Sequence, residues 1–393
     1  MEFSYNCSEC GRRFPIGPTL MVCPDCSLTQ SPDQPLRGVL EVALAGEVPA
    51  DWEIPSLLPV EQRFFPPIPV GNTPLWSPGR LRRELGFPGL YIKDDGLNPT
   101  CSLKDRASFL VSAFAAKFGI DEIVLASTGN AGSSMAGVGA AAGQKVTLFL
   151  PKAAPKAKLI QALQYGARVF RVDGSYDDAY DLSLDYTAKF GGLSRNTAYN
   201  PMTIEGKKTV SLEMFRQLGR APNSVFVAVG DGCILSGVYK GFRDLRQLGL
   251  TDRLPVVYAV QAEGSAALAR AFERGVFVRE AAGTVADSIC VDVPRNGFHA
   301  LKQLAENGGQ VVRVSDDKIL EAQARLSRTA GLFTEPAGAA AFAGFLEVRS
   351  RLREGSVAVV LATGNGLKDT VAAGRGVKVP ERVITSLDEV TGG

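Results

Sequence analysis

The chain has 393 residues, 45% of them hydrophobic and 21% charged, which is typical of a globular protein and long enough for two domains plus a small appendage. Its 43 basic and 41 acidic residues give a net charge of +2, which excludes strong electrostatic attraction to nucleic acid or to an anionic membrane surface. A single histidine, His299, nearly excludes a histidine base or a histidine metal cluster.

The first ten residues contain neither a basic segment nor an apolar run, so we expect no signal peptide. No uninterrupted run of about 18 apolar residues predicts a membrane span. We therefore expect a cytoplasmic protein, in which thiols stay reduced.

Four of the seven cysteines form two C-x-x-C pairs near the start of the chain. They are Cys7, Cys10, Cys23 and Cys26. Gly11 and Pro24 suit the tight turns of a metal knuckle. Disulfides and redox activity of one pair are the alternatives, and a reducing compartment disfavours the first. The spacing favours a structural zinc ribbon over residues 1–30, with four protein ligands and no open position for catalysis.

Residues 31–70 form a proline-rich segment that we expect to wrap the body as a linker. From Gly89 onward, short apolar runs alternate with amphipathic stretches, as in an α/β protein with parallel sheets. The predicted strands are Leu90–Lys93, Glu122–Ala126, Lys145–Leu150, Arg168–Val172, Ser224–Val229, Val256–Gln261, Gln310–Val314 and Val357–Leu361. In such sheets, ligands bind beyond the carboxyl ends of the strands.

Four segments that follow predicted strands are rich in glycine and polar residues: 94–106, 127–132, 230–237 and 362–369. The glycines of 230–237 predict a phosphate cradle, because free amides at a helix N-terminus bind anions. The segment matches neither nucleotide fingerprint, G-x-G-x-x-G or Walker. Residues 127–130 offer hydroxyls and amides suited to a carboxylate. Lys104 opens a helix whose dipole favours the neutral amine, which can bond to an aldehyde cofactor; alone, it would be interpreted as a solvated lysine.

Together these segments resemble the threonine synthases and related fold-type-II pyridoxal-phosphate (PLP) enzymes. Residues 102–106 read S-L-K-D-R and resemble the family's S-F-K-D-R, and residues 127–130 match S-T-G-N. Residues 97–100, 200–209, 333–337 and 363–369 resemble the approach loop, N-P-x-R-x-E-G-Q-K-T, C-E-P-A-S and T-G-H-G-L-K-D. The ordered resemblance runs from Gly71 to about Asp369, and many threonine synthases also carry an N-terminal ribbon.

The resemblance implies an α/β fold of the tryptophan synthase β type, with the PLP site between two domains that contain parallel sheets. Residues 71–115 and 205–393 would form the large PLP domain, and residues 116–204 the small mobile substrate domain. Dimers are usual in this class, so a homodimer is expected by analogy.

The resemblance also assigns roles. Lys104 holds PLP and moves substrate protons, and Asn130 binds the cofactor's 3-oxygen. Thr363 faces the pyridine nitrogen, and a hydroxyl there suits elimination and replacement at Cβ. The cofactor phosphate is bound by the loop of Gly230, Asp231, Gly232, Cys233 and Ile234. The substrate carboxylate is bound by Ser127, Thr128, Gly129 and Asn130.

The sequence departs from the family pattern near both phosphates. The family's G-N-A-G-N loop has an aspartate here, Asp231, which is unfavourable beside a phosphate unless it points away or meets a cation. The threonine and arginine that hold the substrate phosphate are Ala131 and Thr203 here, and losing the guanidinium should cost a few kcal/mol. Thr203 remains a candidate substrate ligand. Cations that could compensate, each more easily interpreted as a solvated surface charge, are Lys152, Lys156, Lys158, Arg195, Lys207 and Lys208.

Three functions are therefore considered. Threonine synthase would eliminate phosphate from O-phosphohomoserine and add water at Cβ. A related enzyme would perform β-elimination or β-replacement on another amino acid, as a hydroxyamino-acid dehydratase or a cysteate-synthase-like transferase does. A non-catalytic PLP-fold binding protein is the third. The whole-chain resemblance supports the first, Ala131 and Thr203 support the second, and the intact Lys104 weighs against the third.

Overall fold

The computed structural model describes residues 1–48, 51–152, 156–378 and 380–390, without the side chains of residues 156–158 and 388. Within these ranges the strands form a small antiparallel sheet at the N-terminus and two larger, mainly parallel sheets. No helix in the described ranges is both long and apolar enough to cross a membrane. Pro49 of the predicted linker lies outside the described residues.

The strands are β1 (Glu2–Cys7), β2 (Arg13–Phe14), β3 (Leu40–Ala45), β4 (Leu75–Trp76), β5 (Leu90–Asp94), β6 (Glu122–Ala126), β7 (Lys145–Pro151), β8 (Arg168–Val172), β9 (Leu193–Ser194), β10 (Ser224–Ala228), β11 (Val256–Ala262), β12 (Gln310–Val314) and β13 (Ala358–Ala362). The helices are α1 (Gly79–Leu85), α2 (Lys104–Lys117), α3 (Asn130–Ala142), α4 (Lys156–Gln164), α5 (Tyr176–Phe190), α6 (Met202–Lys207), α7 (Thr209–Leu218), α8 (Cys233–Gln247), α9 (Ala267–Arg274), α10 (Gly297–Glu306), α11 (Asp316–Ala330), α12 (Pro336–Val348) and α13 (Thr370–Gly374). All eight predicted strands are confirmed, and no end differs by more than one residue.

The N-terminal sheet has the strand order β2-β1-β3, and β3 comes from the segment predicted to be a linker. Cys7 on β1 pairs with Leu40 on β3, so the sheet extends well past residue 30. Glu41 of β3 ties this sheet to the body. Its carboxylate accepts a hydrogen bond from Arg243 of α8 at 2.6 Å and lies 3.1 Å from Nε2 of His299 on α10.

The largest sheet has the order β12-β11-β10-β13-β5-β4, and only β4 at its edge runs antiparallel. All five residues of β10, Ser-Val-Phe-Val-Ala, are buried, as expected for a strand covered on both faces by helices. The sheet draws its strands from residues 75–94 and 224–362, which fall inside the ranges expected for the large domain.

The second parallel sheet has the order β8-β7-β6-β9 and is built entirely from residues 122–194. Its helix α5 starts with a capping box, in which Ser175 and Asp178 exchange hydrogen bonds with each other's backbone amides. This sheet lies within the range expected for the small domain.

The carboxyl ends of the strands position the candidate site. The loop before Lys104 is anchored to the end of β13, because the amide of Leu103 donates to the carbonyl of Thr363 at 2.8 Å and the amide of Asn365 donates to the carbonyl of Cys101 at 3.0 Å. The loop after β5 and the loop after β13 therefore meet at one edge of the large sheet, where ligands of parallel sheets bind.

Candidate active site

A cavity of about 340 Å³ lies where these loops meet the start of α3. Six of the predicted site residues line it: Lys104, Ser127, Thr128, Gly129, Asn130 and Asp231. The other predicted residues are absent from its lining: Thr203, Gly230, Gly232, Cys233, Ile234 and Thr363. All six of these residues are buried.

Lys104 is the first residue of α2, and burial lowers the pKa of its amine. The Asp231 carboxylate opposes this shift of the Lys104 pKa, whereas the Lys207 ammonium reinforces it. The neutral amine is therefore more populated near neutral pH than in a surface lysine. A neutral amine is the form that accepts a proton or bonds to an aldehyde.

The start of α3 presents donors to the cavity. The hydroxyl oxygen of Ser127 accepts hydrogen bonds from the amides of Gly129 at 3.3 Å and Gly132 at 2.9 Å. Because both are accepted bonds, the Ser127 hydroxyl keeps its own hydrogen for another acceptor. This hydroxyl and the positive end of the α3 dipole suit a carboxylate.

Asn130 is buried and only partly satisfied. Its Nδ2 donates to the two oxygens of Glu335, at 2.9 and 3.0 Å, and to Ser288 at 3.2 Å. Its Oδ1 is buried and has no hydrogen-bond partner among the described residues. A buried amide oxygen without a donor is unfavourable, which indicates that a bound group completes the site.

Glu335 was not predicted as a site residue, although it lies in the segment that resembles C-E-P-A-S. The Glu335 carboxylate packs against the backbone of Gly364, because a Cβ at position 364 would lie 2.3 Å from Oε1 of Glu335. The available signal was one acidic residue directly before Pro336, at the start of the mainly apolar helix α12. An acidic side chain at the start of such a helix is buried with it and must find donors.

The glycine-rich turn between β10 and α8 has the conformation of an anion cradle. Gly232 adopts a left-handed φ of 87°, and a Cβ there would lie 2.7 Å from Cβ of Ala300, so glycine is required on both grounds. Oδ1 of Asp231 accepts a hydrogen bond from the Cys233 amide at 2.9 Å. The unexpected aspartate thus caps the positive end of α8, and a phosphate that used the Cys233 amide would have to displace this carboxylate.

The expectation that the compensating cations are solvated is wrong for three of them, because Arg195, Lys207 and Lys208 are fully buried. Lys208 pairs with Asp244 at 2.8 Å and with Glu205. Arg195 and Lys207 form no ion pair with any carboxylate in the described ranges. Lys152 is exposed, and the side chains of Lys156 and Lys158 lie outside the described residues.

The two positions that replace the family's phosphate ligands behave differently. Ala131 lines the cavity and offers it a methyl group. Thr203 is buried, and its hydroxyl donates to the carbonyl of Asn200 at 2.8 Å and accepts from the amide of Ala198 at 3.2 Å. The hydroxyl of Thr203 is therefore used within its own turn.

The mouth of the cavity is crossed by ion pairs between distant parts of the chain. Asp177 on α5 pairs with Arg295, and its carboxylate lies 3.7 Å from Arg279. Arg279 also pairs with Asp33 of the predicted linker. The sequence did not single out any of these four residues.

The four N-terminal cysteines form a second candidate site, with all four sulfurs within 4.8 Å of one another. The Cys7–Cys26 and Cys10–Cys23 sulfur pairs are each 3.8 Å apart, far longer than a disulfide bond. Four sulfurs at roughly 2.3 Å from one zinc ion would be about 3.8 Å apart in a tetrahedron. The donor set and its spacing therefore fit a four-thiolate zinc site.

Residues 68–364 match the protein family described as "Pyridoxal-phosphate dependent enzyme". The curated threonine synthase of Methanosarcina acetivorans is 33% identical over 400 aligned residues, which cover 99% of this chain and 95% of the relative. The threonine synthase of Methanocaldococcus jannaschii is 32% identical over 393 residues, covering 96% of each. The similarity extends over the N-terminal cysteines as well as the cavity.

Solved structures share the fold. Threonine deaminase isoform 2 from Solanum lycopersicum superposes with a TM-score of 0.69 at 22% identity, over 85% of this chain and 96% of that one. Maize serine racemase has a TM-score of 0.67 at 21% identity, over 76% and 89% of the two chains.

Proposed function

The chain belongs to the family of pyridoxal-phosphate-dependent enzymes, in the fold-type-II class, and from this premise we propose that it is a threonine-synthase-like carbon–oxygen lyase. In the proposed reaction, O-phosphohomoserine and water give threonine and phosphate. The observation that carries the proposal is that Lys104 shares one cavity with the donor-rich start of α3. Whole-chain similarity to threonine synthases supports the choice of substrate.

The residues present fit PLP. Lys104 would hold it, and Asn130, with its unsatisfied buried amide, would bind beside it. The amides of the turn at Gly232 would take the phosphate, and Thr363 would face the ring nitrogen. When bound, the cofactor supplies an electron sink for charge that develops at the substrate's α-carbon.

The start of α3 would hold and orient the substrate. The Ser127 hydroxyl and the backbone amide of Thr128 would bind an α-carboxylate at the positive end of the helix dipole, and the Gly129 amide would join them on release from the Ser127 oxygen. This contact would fix the substrate's α-carbon relative to Lys104, and holding reacting groups in position lowers the activation barrier.

Lys104 is the proposed proton carrier, because its lowered pKa leaves a neutral amine that can accept a proton from the substrate carbons and return it. His299 does not compete for this role. It is buried outside the cavity lining, with its Nε2 beside Glu41 and Gln303.

A second candidate function has a specific observation in its favour. Ala131 offers the cavity no hydroxyl, and the Thr203 hydroxyl is used within its own turn. A β-eliminating or β-replacing enzyme that acts on an amino acid without a phosphate would need neither contact.

We also propose that the cysteine cluster binds one zinc ion with a structural role, since four sulfurs leave no open coordination position. The expected homodimer remains a prediction from analogy with the class.

One assay separates the candidate functions. The purified protein is incubated separately with O-phosphohomoserine, serine, threonine and phosphoserine, and phosphate, ammonia, keto acid and threonine are measured. Equimolar phosphate and threonine from O-phosphohomoserine support the synthase. Ammonia and keto acid from serine or threonine, without turnover of O-phosphohomoserine, support the second function. No product from any of these amino acids by PLP-loaded protein contradicts both.

A further inference from the structure

Two buried cations lie behind the candidate active site without an acidic partner. Lys207 is the last residue of α6, and Arg195 follows β9. Both side chains are fully buried, and neither forms an ion pair with a described carboxylate. Both cations are near enough to Lys104 to lower the pKa of its amine. A buried charge is costly unless it is paired, so two such charges around one residue indicate an anion that is not part of the polypeptide.

Lys207 points at the N-terminus of α8. Its Nζ lies 2.9 Å from the sulfur of Cys233, the first residue of that helix. The approach depends on Gly237, where a Cβ would lie 2.6 Å from Cβ of Lys207. The hydroxyl of Thr203 lies 3.7 Å from the same sulfur, as expected for residues four apart on one helix.

Arg195 approaches the same region from the small sheet. Its guanidinium donates to the Thr197 hydroxyl at 3.0 Å and contacts the Ser108 hydroxyl at 3.4 Å. Thr197 lines the cavity, and Ser108 lies one turn after Lys104 on α2. The guanidinium therefore lies next to a residue of the cavity lining and next to the turn that carries Lys104.

The nearby carboxylates offset this group of charges only in part. Asp231 is held by the amide of Cys233, and Asp105 is held by the amide of Thr100 at 2.7 Å. The pKa of Arg195 is lowered by burial, although Cys233 and Asp231 act in the opposite direction. With Lys104, three basic side chains and the positive end of α8 face these two carboxylates.

We propose that Lys207 and Arg195, with the N-terminus of α8, form a buried site for a phosphate group. This site deepens the proposed function and rests on it. It differs from the family pattern, whose arginine stands one helical turn earlier, at Thr203, and which has glutamine at the position of Lys207. The phosphate comes either from the cofactor or from the substrate.

The variants for the test are Lys207→Gln, Arg195→Gln and, with unchanged side-chain volume, Lys207→Met. Lys145→Gln removes an exposed positive charge at the opposite end of the small sheet and is the matched control. Because each buried cation lacks an acidic partner, these variants should melt within a few degrees of the parent protein.

The first measurement concerns the cofactor. Holoenzyme of each variant is dialysed, the loss of bound visible absorbance is followed, and the protein is then titrated with PLP and with pyridoxal, which lacks the phosphate. A site for the cofactor phosphate predicts roughly ten- to a hundredfold weaker PLP binding and less than about twofold change for pyridoxal.

The second measurement concerns the substrate. The holoenzyme is titrated spectroscopically with inorganic phosphate, O-phosphohomoserine and homoserine. A site for the substrate phosphate predicts that affinity for inorganic phosphate and for O-phosphohomoserine falls by the same factor, roughly ten- to a hundredfold. The affinity for homoserine and the PLP-to-pyridoxal affinity ratio should stay unchanged. The variant Thr203→Arg with Lys207→Gln, which moves the cation back one turn, should then recover the lost affinity.

If Lys207→Gln, Lys207→Met and Arg195→Gln all keep the parent's PLP-to-pyridoxal affinity ratio and its affinity for inorganic phosphate, the phosphate site is refuted. Neither comparison needs turnover. A protein that fails to make threonine would contradict the proposed function and leave this test decisive.

Discussion

Lys104 is the residue on which the proposed chemistry depends. Changing Lys104 to alanine should abolish turnover and the visible absorbance of bound cofactor, because no other described lysine lines the cavity. The fold should persist, since the side chain of Lys104 forms no hydrogen bond or ion pair with the described residues. Absorbance, circular dichroism and activity measure these effects. Borohydride-reducible cofactor attached to a different lysine in the variant would contradict the assignment.

At the scale of single residues, the sequence predicted what lies on strand-to-helix loops. Lys104, Asn130 and Asp231 follow strands whose apolar runs are plain, and all three line the cavity. The burial of Arg195 and Lys207 could not be predicted, because an isolated basic residue carries no local sign that both faces of its segment will be covered. The role of Asp231 could not be predicted either, because its carboxylate accepts a hydrogen bond from the Cys233 amide only in the folded turn.

At the scale of elements, Glu213 on α7 links this helix to helix α2 and strand β5. Its carboxylate accepts a hydrogen bond from Arg106 of α2 at 2.6 Å and one from Lys93 of β5 at 2.6 Å. Burial opposes the ionisation of Glu213, but the two cations outweigh it and lower its pKa from 4.5 to about 2. A folded pKa below the unfolded value stabilises the fold above pH 4.5, and this stabilisation is lost as the pH falls towards 2.

Replacing Glu213 with glutamine should therefore lower stability at pH 7 and remove part of the acid sensitivity. A pKa shift of this size corresponds to about 3 kcal/mol. Between pH 5 and pH 2, the free energy of unfolding should therefore fall by about 3 kcal/mol less in the variant than in the parent protein. Urea unfolding across this range measures the difference. Glu354→Gln, an exposed position, is the control, and parallel curves for all three proteins would refute the linkage.

The zinc ribbon offers a prediction at the same scale. One zinc ion per chain is expected, and changing Cys7 and Cys10 to serine should release it, because two thiolate ligands are lost. The variant should melt at a lower temperature, since β1 carries Cys7 and pairs with β3, whose Glu41 contacts α8 and α10. Surviving protein should keep its activity. Metal analysis with thermal melts is the measurement, and metal-free protein of unchanged stability would contradict a structural role.

Strands and helices were predicted correctly where the pattern lies within one segment of the chain. They were missed where the element is too short or depends on a distant segment. The eight predicted strands are short runs rich in apolar residues, so each could be recognised within its own segment. Strand β3 was missed because it lies in a proline-rich stretch and is a strand only by pairing with β1, more than thirty residues away. Helix α6 is six residues long, too short for a helical period to be visible, and it is buried on every side.

At the scale of the whole molecule, the cavity mouth is held by charges from three segments. Asp177 of α5 contacts Arg279 and Arg295, and Arg279 also contacts Asp33. Contacts between residues separated by more than about 100 positions have no local pattern in the sequence, which is why none of these residues was predicted.

Changing Asp177 to asparagine should weaken this contact. The KM for the amino-acid substrate should rise about two- to fivefold with little change in kcat, because partly exposed ion pairs contribute up to about 1 kcal/mol. Raising the salt concentration should bring the parent protein close to the variant. Initial rates at low and high salt test this, with Asp185→Asn on the same helix as the control. Equal KM values for parent and variant at low salt would refute a role for the contact.

The strand order of the large sheet has a consequence for the synthesis of the chain on the ribosome. Strand β13 lies between β10 and β5, although it is made from residues 358–362 and β5 from residues 90–94. The antiparallel N-terminal sheet and the sheet of residues 122–194 are each complete long before then. The nascent chain must therefore hold β5 and β10 with one edge of each unpaired until residues 358–362 have been translated. During that interval the unpaired edges are open to aggregation, and the candidate active site, where the Leu103 amide donates to the carbonyl of Thr363, is completed only afterwards.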